Sequence, residues 1–272
     1  MNSRNNWKRW AQLGVVLLSA LMLKLSYSTA GANQLRWILG PTTFLVEIVS
    51  GTSFEFESHA GYMSGDRKFI IAATCAGVNF LITAFLMLSL SKLWKVRSQN
   101  PTYKLHWNFV PLAALLAYLA TLVANTLRIT TALRLRGTPL EMSWLSPDQL
   151  HRLEGTFIYF GFLLLLFIVS EKMSSKFASR NQGQAIYPLD YPNVAVESRT
   201  PPRAAGLLRQ LSFPLLVYYA TTLGIPVANG AYRQGSDFWE HSLFVLLTPL
   251  LLILPIAAFR FLRYQRTGVM AN

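Results

Sequence analysis

Cys75 is the only cysteine among 272 residues. A lone thiol cannot close an internal disulfide, so it is either an inert packing residue or a reactive group. A reactive thiol needs a base to take its proton and a donor or cation to hold the oxyanion that its attack creates. His151, in Ser146-Pro-Asp-Gln149-Leu-His151-Arg-Leu-Glu154, and Arg128, in Asn125-Thr-Leu-Arg128, are residues of those two kinds. Cys with His is the nucleophile and base pairing of cysteine hydrolases and transpeptidases, and a guanidinium can bind the developing oxyanion. Cys75, Arg128 and His151 are therefore the candidate catalytic set, with Asn79, Asn125, Glu154, Asn229 and His241 as supporting or substrate-binding candidates.

Each of the three also has an ordinary reading. Cys beside Ala and Gly packs helices, Arg at a helix end reaches for headgroups, and an interfacial His is simply solvated. The other titratable groups suggest less. His59 lies in a polar loop, His106 opens a helix on the opposite side, and Glu55, Glu57 and Asp66 read as solvated hairpin residues. Glu240-His241 lacks an H-E-x-x-H pattern and a second ligand at helical spacing, so neither a metal nor a cofactor is expected.

What separates these readings is whether the chain brings the three residues to one place. With 52% hydrophobic and only 14% charged residues, the composition is that of a membrane protein. Apolar runs long enough to cross about 30 Å of hydrocarbon occur near 10–27, 73–92, 107–127, 149–170, 211–229 and 238–259, with a shorter one at 36–50. The expected fold is an all-α polytopic membrane protein of about six transmembrane helices in a single domain. A formal charge of +13 would suggest nucleic acid in a soluble protein. Here Lys and Arg concentrate in the first ten residues, in 92–104, in 171–210 and in the tail, four segments that share one side if all six runs span. By the positive-inside rule, both termini are expected in the cytoplasm and nucleic acid is not an expected partner.

In order, residues 7–27 form a first helix; Ala30-Gly-Ala32 offers a cleavage-like site, but a retained helix is the simpler reading. Residues 35–50, interrupted by Gly40-Pro41, are too short to span and read as a re-entrant or interfacial helix on the outer side. Ser53-Phe-Glu-Phe-Glu57 alternates with period two, and Gly61, Gly65 and Asp66 supply turns, which predicts a small extracytoplasmic hairpin. It delivers the chain into a helix capped by Thr74, with Cys75 in the first turn at the positive end of the dipole and Asn79 one turn below. Asn125 and Arg128 share a face at the outer end of the third span, followed by a loop holding Arg134, Arg136, Gly137 and Pro139. Ser146, Pro147 and Gln149 announce the next helix, with His151 in its second turn. Residues 171–210 read as a cytoplasmic linker, partly disordered, and 211–272 as a helix pair with a kinked end at Gly224-Ile-Pro226. This topology places Cys75, Arg128 and His151 at one depth, from three separate helices.

The same residues carry a family resemblance. Thr74-Cys75-Ala-Gly77-Val-Asn-Phe80, Asn125-Thr-Leu-Arg128-Ile and His151-Arg-Leu-Glu-Gly155 are similar, in order and spacing, to three blocks of the exosortase/archaeosortase family. The resemblance runs from about 45 to 170. The stretch from Thr222 to Asn229-Gly, with Phe238-Trp-Glu-His241, further resembles the branch called exosortase K. The resemblance implies a bacterial inner-membrane cysteine protease and transpeptidase that acts at the periplasmic face. Its substrates would be membrane-anchored proteins carrying C-terminal sorting signals of PEP-CTERM type. Cys75 would be the nucleophile, and Arg128 and His151 its arginine and histidine. Against longer members, one span is expected before the core and no soluble C-terminal domain is expected within the sequence. The competing expectation is a non-enzymatic membrane protein, such as a small transporter or assembly partner, which predicts polar residues along a mid-bilayer pathway and internal repeats.

Overall fold

The computed structural model describes residues 3–99, 107–135, 147–182, 203–234 and 236–269. Its elements are α1 (Ser3–Thr29), α2 (Arg36–Ser50), β1 (Phe54–Glu57), β2 (Gly61–Ser64), β3 (Ile70–Ile71), α3 (Val78–Gln99), α4 (Phe109–Leu135), α5 (Pro147–Gln182), α6 (Arg203–Tyr219), α7 (Ile225–Ala228) and α8 (Ser236–Val269). Among the described residues, six helical segments are long and apolar enough to cross a membrane: Trp7–Thr29, Ala73–Trp94, Phe109–Leu135, Arg152–Ser174, Leu211–Ala228 and Phe238–Pro255. The chain is an all-α, multi-pass membrane protein.

The helices alternate in direction, so one end of the bundle gathers the end of α1, the start of α3, the second half of α4, the start of α5, the end of α6 and the start of α8. Contacts between specific residues establish this: Lys24 with Asn79, Asn125 with Cys75, Arg128 with Gly155, Thr83 with Thr221 and Gln149 with Glu240. At the centre is α3, whose membrane-crossing stretch is 72% buried against at most 39% for any other helix. It packs against α1, α4, α5 and α6. Helix α4 meets its neighbours with small residues at every fourth position, Ala113, Ala117, Thr121 and Asn125, all buried, while Leu112, Leu115, Leu119 and Val123 are exposed. Lipid is as apolar as leucine, so helices associate where small side chains allow close approach, and the large ones are left to face acyl chains.

Helix α2 spans 15 residues, roughly 22 Å at 1.5 Å per residue, short of a crossing. It lies against α4, where Tyr118 donates to the Trp37 carbonyl at 2.8 Å. Gly51 ends the helix in the left-handed conformation, φ 71°, and Glu47 accepts from the Phe54 N–H at 2.7 Å, turning the chain into the sheet. The expected hairpin is a three-stranded antiparallel sheet in the order β1-β2-β3, with Phe56 opposite Tyr62 and Tyr62 opposite Ile71. Glu55, Glu57 and His59 are exposed on it, as read from the sequence.

Three boundaries differ from expectation. Helix α4 runs on through Leu135, so Arg134 lies in its last turn instead of a loop, and Asn125 and Arg128 sit about two turns inside the helix. Residues 129–135 are Ile, Thr, Ala, Leu and Arg, with no Gly or Pro to stop the helix. Helix α5 continues to Gln182 and α6 starts at Arg203, directly after Pro201-Pro202, so the expected linker contracts from both ends. Residues 183–202, the rest of that linker, lie outside the described residues, as do Arg136, Gly137, Pro139 and Ser146. The third boundary concerns Cys75 itself.

Candidate active site

After β3, residues Ala73–Ala76 form one turn of 3-10 helix, in which the Cys75 N–H donates to the Ala72 carbonyl at 2.9 Å. Gly77 then takes the left-handed conformation, φ 70°, and α3 begins at Val78. Thr74 is therefore an exposed residue inside the turn, not a helix cap, and Cys75 stands before α3 instead of within its first turn. The cause is Gly77. A Cβ there would lie 3.2–3.3 Å from Tyr159 Oη, Asn125 Cγ and Thr121 Cγ2, and only glycine adopts this φ freely. The reversal at Gly77 lets the Cys75 turn seat against α4 and α5.

What it seats against is a hydrogen-bonded network. Asn125, fully buried, donates from Nδ2 to the Cys75 carbonyl at 2.6 Å and accepts at Oδ1 from Tyr159 Oη at 2.8 Å. Arg128 Nη1 donates to the same Tyr159 oxygen at 3.2 Å. The Tyr159 ring stacks on Phe80 of α3, centroids 5.0 Å apart. Three helices and the Cys75 turn are thus joined through Asn125 and Tyr159. The guanidinium of Arg128 lies within electrostatic reach of the Cys75 thiol and of Glu154. Gly155 makes room for it, since a Cβ at that position would come within 2.9 Å of Arg128 Nε. Cys75 as a residue is half-buried.

The structure thus brings together Cys75, Asn125, Arg128 and Glu154. His151 is in the first turns of α5, one turn before the Gly155 that packs on Arg128, and its side chain lies outside the described residues. Helix α5 begins at Pro147, as its sequence predicts, and the Gln149 amide reaches across to Glu240 of α8 at 2.9 Å. The side chain of His241, the residue after Glu240, is likewise outside the described residues. Asn79 is engaged elsewhere: its Oδ1 accepts from Lys24 Nζ at 2.8 Å, which ties α1 to α3. Asn229 is exposed at the end of α7, beyond a π-helical segment at Ala220–Gly224. That segment interrupts the regular α-helical pattern where the kink at Gly224-Ile-Pro226 is expected, and Pro226, lacking an N–H, follows it after Ile225.

Two residues of the site escape the sequence reading. Tyr159 follows His151 and Gly155 at four-residue steps, so helical periodicity from His151 would have placed it on the same face. Tyr27, on α1, interacts electrostatically with both Cys75 and Arg128. It lies in a helix that reads as an anchor, and nothing local marks it. No family model, curated protein or solved structure matches the chain.

Proposed function

We propose that the protein is a membrane cysteine peptidase and transpeptidase that cleaves C-terminally anchored proteins beside the bilayer, in the manner of the exosortases it resembles. The observation that carries this reading is the junction of Cys75 with Arg128 through Asn125 and Tyr159, at one end of a six-span bundle. A thiol serving only as packing needs no guanidinium nearby.

In this mechanism His151 takes the Cys75 proton, and the thiolate adds to the scissile carbonyl. Arg128 balances the oxyanion. The C–N bond then breaks, His151 returns the proton to the leaving amine, and the membrane anchor departs with it. A thioester to Cys75 remains until an amine, a hydroxyl or water displaces the thiol. A variant of the scheme keeps the thiolate paired with Arg128 and uses His151 as the acid alone. Asn125 is a positioning residue: its donor is directed to the Cys75 carbonyl, not toward an incoming carbonyl. With the basic segments inside, both termini are cytoplasmic and the site faces the periplasm of an inner membrane.

The test is labelling with a membrane-impermeant maleimide in cells whose outer membrane is permeabilised, comparing wild type with Cys75→Ala, alongside a survey of surface proteins that retain their anchors. Labelling at Cys75 and accumulation of uncleaved anchored proteins in the variant are expected. An unlabelled Cys75 together with an unchanged set of anchored proteins would overturn the proposal. A second reading, a non-enzymatic transporter or assembly partner, is favoured by one observation. Lys24 with Asn79, and Thr83 with Thr221 at 2.9 Å, place polar contacts within the spans. On that reading Arg128→Ala and His151→Ala leave processing intact.

A further inference from the structure

A groove of about 380 Å³ lies between the last turns of α1 and the start of α2 and reaches α3 at Val78. Val78 is three residues past Cys75, and Tyr27, in the groove wall, interacts electrostatically with both the Cys75 thiol and Arg128. The Asn125 and Tyr159 network approaches the thiol's turn from α4 and α5, whereas Tyr27 approaches from α1. The groove therefore reaches the start of α3 at Val78, directly after the turn that carries Cys75, on the side facing α1.

We propose that this groove holds the substrate chain on the acyl side of the scissile bond, as an extended segment, with Tyr27 at its junction with Cys75. The inference rests on the reading of Cys75 as a nucleophile. The lining selects the occupant. Leu35 and Val78 make the wall apolar, while the Ser26 and Tyr27 hydroxyls and the Gln34 amide NH2 add polar groups; the Gln34 carbonyl oxygen is taken by the Gly31 N–H at 2.8 Å and the Thr29 hydroxyl by the Ser26 carbonyl. A helical membrane anchor satisfies its own backbone, and a lipid tail has no polar groups to satisfy. An extended polypeptide at membrane depth must find a partner for each N–H and C=O, and such a polar lining supplies them. The volume, near the lower end of ligand pockets, suits about two or three residues with small or medium apolar side chains.

Two thiol-directed reagents with the same chloromethyl ketone test this on the full-length protein in membranes: acetyl-alanyl and acetyl-leucyl-valyl-alanyl chloromethyl ketone. The rate of Cys75 modification is followed by intact mass. The longer reagent is expected to react at least about tenfold faster with wild type, as apolar groups seated in a pocket do. Ser26→Trp and Gln34→Trp, at two exposed positions in the lining, are expected to remove that advantage and leave the acetyl-alanyl rate unchanged. Equal rates for the two reagents in wild type, or an advantage that survives both substitutions, would overturn the groove and leave the nucleophile standing. No reaction of Cys75 with either reagent would overturn the nucleophile, and the groove with it.

Discussion

Both ends of the Asn125 amide are committed, one to the Cys75 carbonyl and one to the Tyr159 hydroxyl, and the side chain is fully buried. Asn125→Asp replaces the donor facing that carbonyl with an acceptor. Processing should fall by about two orders of magnitude, as when a positioning group is lost, and unfolding should become easier by about 1–3 kcal/mol. Asn125→Asp activity within twofold of wild type would remove Asn125 from the site. Gly77→Ala should cost about 1–2 kcal/mol for the left-handed backbone alone, with further loss from its contacts with Tyr159, Asn125 and Thr121. Thermal melting in detergent measures it, and an unchanged melting temperature would contradict the account of the turn. At this scale the sequence shows the residue types and not their engagements. Arg128 and Asn125 are visible because residues three apart on a helix share a face. Tyr159 shares a face with His151 by the same periodicity, but its bonds to Asn125 and Arg128, and the place of Tyr27, are not visible, because they are tertiary contacts that only the packed bundle creates.

At the scale of elements, α1 is held to the bundle by Lys24, which donates to Asn79 at 2.8 Å, and it contributes Tyr27 to the surroundings of Cys75. It is part of the site, so a chain beginning after residue 32 should insert but lose processing, a result read by supplying the truncated chain to cells lacking the full one. Full activity of the truncated chain would show α1 to be dispensable. The sheet carries a pH dependence. Asp66 accepts from Ser64 Oγ at 2.6 Å and from the Lys68 N–H at 3.1 Å, and these bonds, with the Lys68 charge, hold its carboxyl below the ordinary value of 3.8. A depressed carboxylate stabilises the fold above its unfolded value and loses that contribution as pH falls through the folded one. The protection of residues 61–71 against hydrogen exchange, taken relative to the intrinsic rate at each pH, should therefore fall below about pH 4, and Asp66→Asn should abolish that fall. The start of α6 at Arg203 is missed, because the expected linker runs on to 210, and element boundaries were legible at Ser50, where α2 ends, and at Pro147, where α5 begins. They were illegible where a helix simply continues past the apolar run, to Leu135 and to Gln182. Hydropathy reports the thickness of the hydrocarbon and has no bearing on where a helix leaving it must stop.

For the whole molecule, the six apolar runs read from sequence correspond to the six crossing helices, because a membrane demands about 20 apolar residues per span and leaves few alternatives. Their alternation carries residues separated by 50 positions, Cys75 and Asn125, to a single end of the bundle. At that end the short α2 packs on α4, and both α2 and the last strand of the sheet contact the turn that carries Cys75. The central claim is that Cys75 becomes acylated by the chain it cleaves. Its most direct test is intact mass spectrometry of the protein recovered from membranes while it processes an anchored reporter. The account predicts a hydroxylamine-sensitive adduct on Cys75 equal in mass to the reporter fragment, absent in Cys75→Ala. Continued processing in Cys75→Ala, with the wild-type thiol unmodified throughout, would contradict it.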